Sequence, residues 1–259
     1  MISVTFSQQQ MEYFLLVLVR ISAFIVVVPF FNDNNTPVRI KVILSVFVSY
    51  LVYSLMPKDA VIEYQNVYEY AALIFKESIV GLLLGYAAFI CSMIIQFSGR
   101  VIDMEIGLAM MQMFDPSTRT QSGVTGMFYH YLIMMLLIAS NMHIYLLNAI
   151  VDSFQLVPIG GIKINLSMYS TVVQFLSDYF IIGFRIVLPV FAVTLILNCI
   201  LGIMAKVSPQ MNMFAVGMQL KVLAGLFVLF VTINLLPVIS NMIFTEMKEM
   251  VANMMRGMT

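Results

Sequence analysis

Six long apolar runs, at about 13–31, 40–56, 67–97, 124–150, 179–205 and 213–244, constrain this chain more than any other feature. A helix that crosses the hydrocarbon of a bilayer needs about 20 apolar residues. The expected fold is therefore all-α, a polytopic membrane protein with about six long helical segments. Composition agrees, with 61% hydrophobic and 10% charged residues, where soluble domains carry roughly 45–50% and about 25%. Turn-forming clusters separate the runs: NDNNTP at 32–37, MPKDA at 56–60, GGIKIN at 160–165 and SPQMN at 208–212. Pro37 stands where it can open the second helix. With no repeat, low-complexity tract or long linker, residues 1–259 read as a single domain.

Formal charge is zero, with 13 basic and 13 acidic residues, so nothing argues for nucleic acid. The first residues carry no Lys or Arg before Arg20, unlike a cleavable signal peptide, and the first apolar segment is expected to remain in the mature protein. Orientation is weakly specified. With the N-terminus outside, Arg39, Lys41, Arg100, Arg119 and Lys206 lie inside, while Lys58, Lys163, Lys248 and Arg256 lie outside, a difference of one charge. Cys91 and Cys199 sit in apolar runs and read as small buried hydrophobes.

Several charges interrupt the runs: Arg20 in the first, Lys76 and Glu77 in the third, Arg185 in the fifth and Lys221 in the sixth. A charge at the bilayer centre costs about 2.5–3.5 kcal/mol on insertion scales. Such groups either line an ion path inside a bundle or pair with other protein; Arg185 and Lys221, near run ends, can also snorkel to an interface. Glu77, Gly81 and Gly85 follow at four-residue intervals, and Gly99, Asp103 and Gly107 repeat the interval. Glycines so placed let another helix backbone approach closely, with the carboxylates able to bond it. One such stripe arises readily by chance; two in succession, each with an acid, indicate tight neighbours. His130 and His143 are thirteen residues apart in one run and do not converge on a metal. No metalloprotease, nucleophile-elbow or phosphate-loop motif is present, and no enzymatic activity, cofactor or catalytic residue is expected.

The segment Ala205-Lys206-Val207-Ser208-Pro209-Gln210-Met211-Asn212-Met213-Phe214, followed by Gly217, Lys221 and Gly225, resembles the signature of the FliR family. Arg20, Ala23, Pro29, Pro37 and Arg39 resemble its first hairpin. Glu77, Gly81, Gly85, Gly99, Asp103, Gly107 and Asp115-Pro116 resemble its long middle stretch. The resemblance runs along nearly the whole chain, in order.

It implies a subunit of the flagellar type III protein export gate, with SpaR-type injectisome subunits as relatives. Such a subunit builds helical hairpins with FliP-like and FliQ-like subunits into a larger helical assembly, which passes unfolded proteins. FlhB-like and FlhA-like export proteins stand beside it, in the bacterial inner membrane within the flagellar basal body. Much of that assembly stands out of the plane of the membrane lipid, so charges in apolar helices meet protein. Arg20, Glu77, Gly81, Gly85, Gly99, Asp103, Gly107, Pro209, Gln210, Asn212 and Lys221 are expected in helix packing and inter-subunit contacts.

By position in that family, Met110, Met111, Met113 and Phe114 form a plug in the pore, with Asp115-Pro116 turning the chain back. A hydrophobic constriction gates by excluding water, and methionine repacks around varied shapes. The other reading makes this the last apolar turn of the third helix, packed on its neighbours. Pro116 disfavours a helical residue before it, so that helix is expected to end near Phe114. A secondary transporter or proton channel built around Arg20, Glu77 and Lys221 is the reading from another class. Met247, Met250, Met254 and Met258 stripe a short amphipathic helix expected to pack on the body of the assembly or lie on lipid.

Overall fold

The computed structural model describes residues 8–31, 36–56, 64, 66–109, 123–163, 165, 167–210 and 212–259. Its helices are α1 (Gln8–Val27), α2 (Val38–Leu55), α3 (Val67–Ile106), α4 (Val124–Ala139), α5 (Met142–Leu156), α6 (Ser167–Val207), α7 (Met213–Thr232) and α8 (Leu236–Gly257). A 3₁₀ turn, Ile233–Leu235, joins the last two. Among the described residues there is no strand. Among the described residues, five helical stretches are long and apolar enough to cross a membrane, or six when α4 and α5 count as one broken span. The chain is an all-α polytopic membrane protein.

Three boundaries differ from the hydropathy pattern, each for a local reason. The run at 124–150 is broken at Ser140-Asn141, where Asn141 takes φ 58°. Asparagine visits that left-handed region more readily than other side chains. Helix α6 begins at Ser167, twelve residues before its apolar run. Its first turns are amphipathic, burying Met168 and Phe175 two turns apart while Tyr169 and Val173 stay exposed. Helix α3 ends at Ile106; Leu108 and Ala109 are helical again, and the expected end near Phe114 lies outside the described residues. Gly107, at φ 87°, takes the left-handed conformation that commonly stops a helix, and its N–H donates to the Met104 carbonyl.

The chain divides into two compact units: residues 1–90, 141–174 and 246–259, and residues 91–140 and 175–245. In the first, α1 buries Leu16, Val17, Ile21, Phe24 and Ile25, while the opening half of α3 buries Val80, Leu84, Ala87 and Ala88. Leu146 and Ile150 of α5 and Met247, Met250, Val251 and Met254 of α8 complete that core at helical spacing. The tail is thus the last part of an amphipathic helix whose methionines are buried in protein. Its end is pinned by backbone bonds, Lys163 N–H to Met258 O at 3.0 Å and Asn165 N–H to Gly257 O at 3.0 Å.

In the second unit, Ile94, Ile102 and Ile106 of α3 are buried, as are Ile133 and Leu137 of α4, Ile182, Val187 and Val190 of α6, and Ile243 of α8. Helices α3 and α6 run parallel. Tyr179 Oη donates to the Met93 carbonyl at 3.3 Å, Ser98 Oγ to the Gly183 carbonyl at 3.2 Å, and Thr194 Oγ1 to Glu105 Oε2 at 3.2 Å. Phe97 fills the crossing, with ring centroids 5.5 Å from Phe180 and 5.7 Å from Phe184.

Candidate functional site

Arg20 is the largest fully buried side chain, and the first unit is organised around it. Its Nε donates to Glu77 Oε2 at 2.6 Å, with the two side chains 0% and 1% exposed. Its Nη1 donates to the carbonyls of Ser153 at 3.1 Å and Val157 at 2.9 Å. Those carbonyls close the C-terminal end of α5, where a helix leaves acceptors unsatisfied and its dipole favours a cation. The guanidinium carbon lies 4.2 Å from the centroid of the Phe154 ring. Glu77 uses its second oxygen to accept the Gly160 N–H at 2.8 Å, and Gly160 reaches it through a turn at φ 76°.

The glycine stripe after Glu77 explains how the pair forms. A Cβ on Gly81 would be driven into the Arg20 carbonyl oxygen, and one on Gly85 would stand 3.0 Å from the Phe24 carbonyl and 3.1 Å from Val27 Cβ. Helix α1 therefore crosses α3 at backbone contact, a turn apart at each site, which brings Arg20 within reach of Glu77. Both glycines serve this crossing within the chain.

The second stripe divides into two roles. A Cβ on Gly99 would collide with the backbone of Gly126, so α3 and α4 meet glycine to glycine. Asp103, 2% exposed, accepts the Thr125 N–H with both carboxylate oxygens at 3.2 and 3.3 Å. It caps α4 from outside, where Gly123 at the N-cap has no side chain and no room for one, since a Cβ would strike Asp103 Oδ2. A carboxylate there also meets the favourable end of the helix dipole. Gly107 departs from the packing expected of it. It is the left-handed stop of α3, and a Cβ would find only Met218 Cγ, at 3.8 Å.

At the turn between α6 and α7, Asn212 is the N-cap of α7, its side chain accepting the Ala215 N–H at 3.4 Å. Pro209 and Gln210 are exposed in the same turn. Lys221 is half-buried on α7, between Met218 and Gly225, which pack on Gly107 and Ile106 at the carbonyl end of α3. Met110, Met111, Met113, Phe114, Asp115 and Pro116 lie outside the described residues. Ser153, Val157, Gly160, Thr125 and Gly126 belong to these contacts and went unread in the sequence. Four of them contribute backbone atoms that any residue type could offer, and only glycine in GGIKIN and VTGMF gave a signal.

The arrangement can fix helices; it is poorly suited to conduct. Ionisable groups on a conduction path face a water-filled cavity, whereas Arg20 and Glu77 are buried against each other and bond three backbone groups, with the Arg20 Nη2 left buried and unpartnered. Among the described residues no cluster of three His, Cys, Asp or Glu side chains could hold a metal.

The family described as bacterial export proteins, family 1, matches residues 11–247. The flagellar biosynthetic protein FliR of Bacillus subtilis is 31% identical over 93% of this chain and 94% of its own. The FliR proteins of Buchnera aphidicola and Escherichia coli are 27% and 24% identical, over 82% and 91% of this chain and 82% and 90% of theirs. The charges and glycines that hold these helices together thus sit in a chain that belongs, over nearly its whole length, to family 1 of the bacterial export proteins, the FliR family.

Proposed function

We propose that this chain is a structural subunit of the flagellar type III protein export gate, in the bacterial inner membrane at the basal body. It assembles with FliP-like and FliQ-like subunits into the channel for unfolded flagellar substrates, beside FlhB-like and FlhA-like proteins. What carries this reading is the end-to-end likeness to FliR proteins. The buried charges support it, because they brace helices instead of standing open to a solute. Met110, Met111, Met113 and Phe114 close the channel as an apolar plug, and Asp115-Pro116 return the chain toward α4. A polar constriction stays wet, so an apolar one is needed to hold ions while remaining indifferent to the sequence of the passing chain.

The test replaces Met110, Met111, Met113 and Phe114 with serine in the assembled complex and measures conductance in a planar bilayer. Raised ion leakage is expected, with the complex intact. Unchanged conductance in a fully assembled complex removes the plug. A chain that purifies without FliP-like partners and moves a small solute by itself removes the gate reading altogether.

A further inference from the structure

In the second unit, two arginines stand at one level of adjacent helices. The bonds from Ser98 to Gly183 and from Thr194 to Glu105 fix the register of parallel α3 and α6, and that register sets Arg100 level with Arg185. Both are exposed, and neither has an ion-pair partner among the described residues. The nearest acid on α6, Asp178, lies two turns back. On α3, Asp103 is buried against the Thr125 N–H and Glu105 accepts from Thr194.

Other polar features gather at the same level. Pro189 lacks the N–H that would bond the Arg185 carbonyl, so the backbone of α6 is itself under-satisfied there. Tyr129 is buried one turn beyond the Gly126 that touches Gly99, and Thr232 Oγ1 turns back to the Val228 and Leu229 carbonyls of its own helix. The regular helix α7 ends at Thr232 and gives way to the 3₁₀ turn holding exposed Asn234. Helices α6 and α7 thus turn irregular at the level of the two arginines, with Tyr179 and the exposed Phe180 and Phe184 close by on α6.

Beyond that level α6 and α7 are almost purely apolar, while the two acids there, Asp103 and Glu105 of α3, are taken up by the Thr125 N–H and the Thr194 hydroxyl. Residues 186–205 of α6 and 213–232 of α7 form an antiparallel pair, with Gly217 against Leu201. Each stretch is about 30 Å long at 1.5 Å per residue, the thickness of a bilayer's hydrocarbon. At the far end stand Lys206 and the exposed turn of Pro209, Gln210 and Asn212. Ile196, Ile200, Leu223, Phe227 and Phe230 are exposed along it. Lys221 is the single charge in either stretch, half-buried on the part of α7 that packs at the carbonyl end of α3.

We infer that this hairpin is the part of the second unit that sits in lipid, and that Arg100 and Arg185 hold phospholipid phosphate at one face of the bilayer. Guanidinium groups bind phosphate oxygens in pairs, and a two-arginine level bounding a stretch of bilayer thickness places them at the headgroups. The hydropathy pattern puts Arg185 near a run end without saying which plane that end marks; the register with Arg100 supplies the plane.

The unmodified protein carries its own probe. Cys91 is buried, whereas Cys199 is exposed near the middle of the apolar stretch. In native membranes holding the assembled complex, a charged, membrane-impermeant maleimide is expected to label Cys199 about a hundredfold more slowly than Arg185→Cys or Gln210→Cys, each in a Cys199→Ser background. The last two are expected to react from opposite faces. Labelling of Cys199 at the rate of Gln210→Cys overturns the placement. Arg185→Cys as unreactive as Cys199 overturns it too, by showing the arginine covered. For the phosphate, the complex with Arg100→Gln and Arg185→Gln is expected to retain less than half the phosphatidylglycerol seen by native mass spectrometry on the unmodified complex. Equal retention overturns that assignment. Both readouts concern lipid and leave the plug and the gate to their own test.

Discussion

Arg20 and Glu77 are each costly to bury, and together they are held by five contacts drawn from α1, α3 and the end of α5. The cost of breaking the pair therefore exceeds the cost of removing it. Arg20→Met, which strands Glu77, is expected to lose about 3–5 kcal/mol of stability. The double variant Arg20→Met with Glu77→Leu should recover more than half of that loss, because two apolar chains leave no charge unpaired. Thermal unfolding of the purified complex measures both, and additive losses would mean the two residues do not act as a unit. Gly81 makes a second residue-level case. Gly81→Ala drives a methyl into the Arg20 carbonyl and is expected to cost about 1–3 kcal/mol. Gly202→Ala, with nothing within 4 Å, should be neutral or gain up to about 1 kcal/mol from helix propensity. Equal effects at the two sites would dismiss the backbone crossing.

At the scale of elements, the ends of helices are answered from elsewhere in the chain. Asp103 caps α4, Arg20 closes α5, and Asn212 caps α7 from its own turn. The C-terminal part of α8 is the clearest dependent element, since Met247, Met250, Met254 and Met258 are all at most 4% exposed. Met250→Asp places a carboxylate in that core and is expected to cost about 3 kcal/mol or more. Asn253→Asp, which adds the same carboxylate on the exposed side of the same helix, should be nearly silent. Steady-state level in membranes reports the difference. Similar losses from both would return the tail to a lipid-surface role.

For the whole molecule, the glycine crossings belong inside the chain, which changes what their disruption does. Leucine at both Gly81 and Gly85 forces α1 from α3 and unseats Arg20, so the subunit misfolds before it can take part in the assembly proposed above. Co-purification with FliP-like and FliQ-like subunits is expected to fall at least tenfold, with the chain itself depleted from the membrane. A normal yield of complex would show that the crossing is dispensable.

The sequence alone was enough for the helical membrane class, because run length and apolar composition act without regard to neighbours. It was also enough for the family, because the glycines, prolines and charges occur in order along the chain. Spacing fixed which residues share a helix face; it carried no information about what lies opposite. Only the tertiary structure joined Arg20 to Glu77, to carbonyls more than 130 residues away, and to the N–H of Gly160. It likewise separated Gly99, where two backbones touch, from Gly107, where one helix stops. Those two glycines have the same spacing and the same chemistry, and differ in backbone conformation and in the partner that folding sets against them.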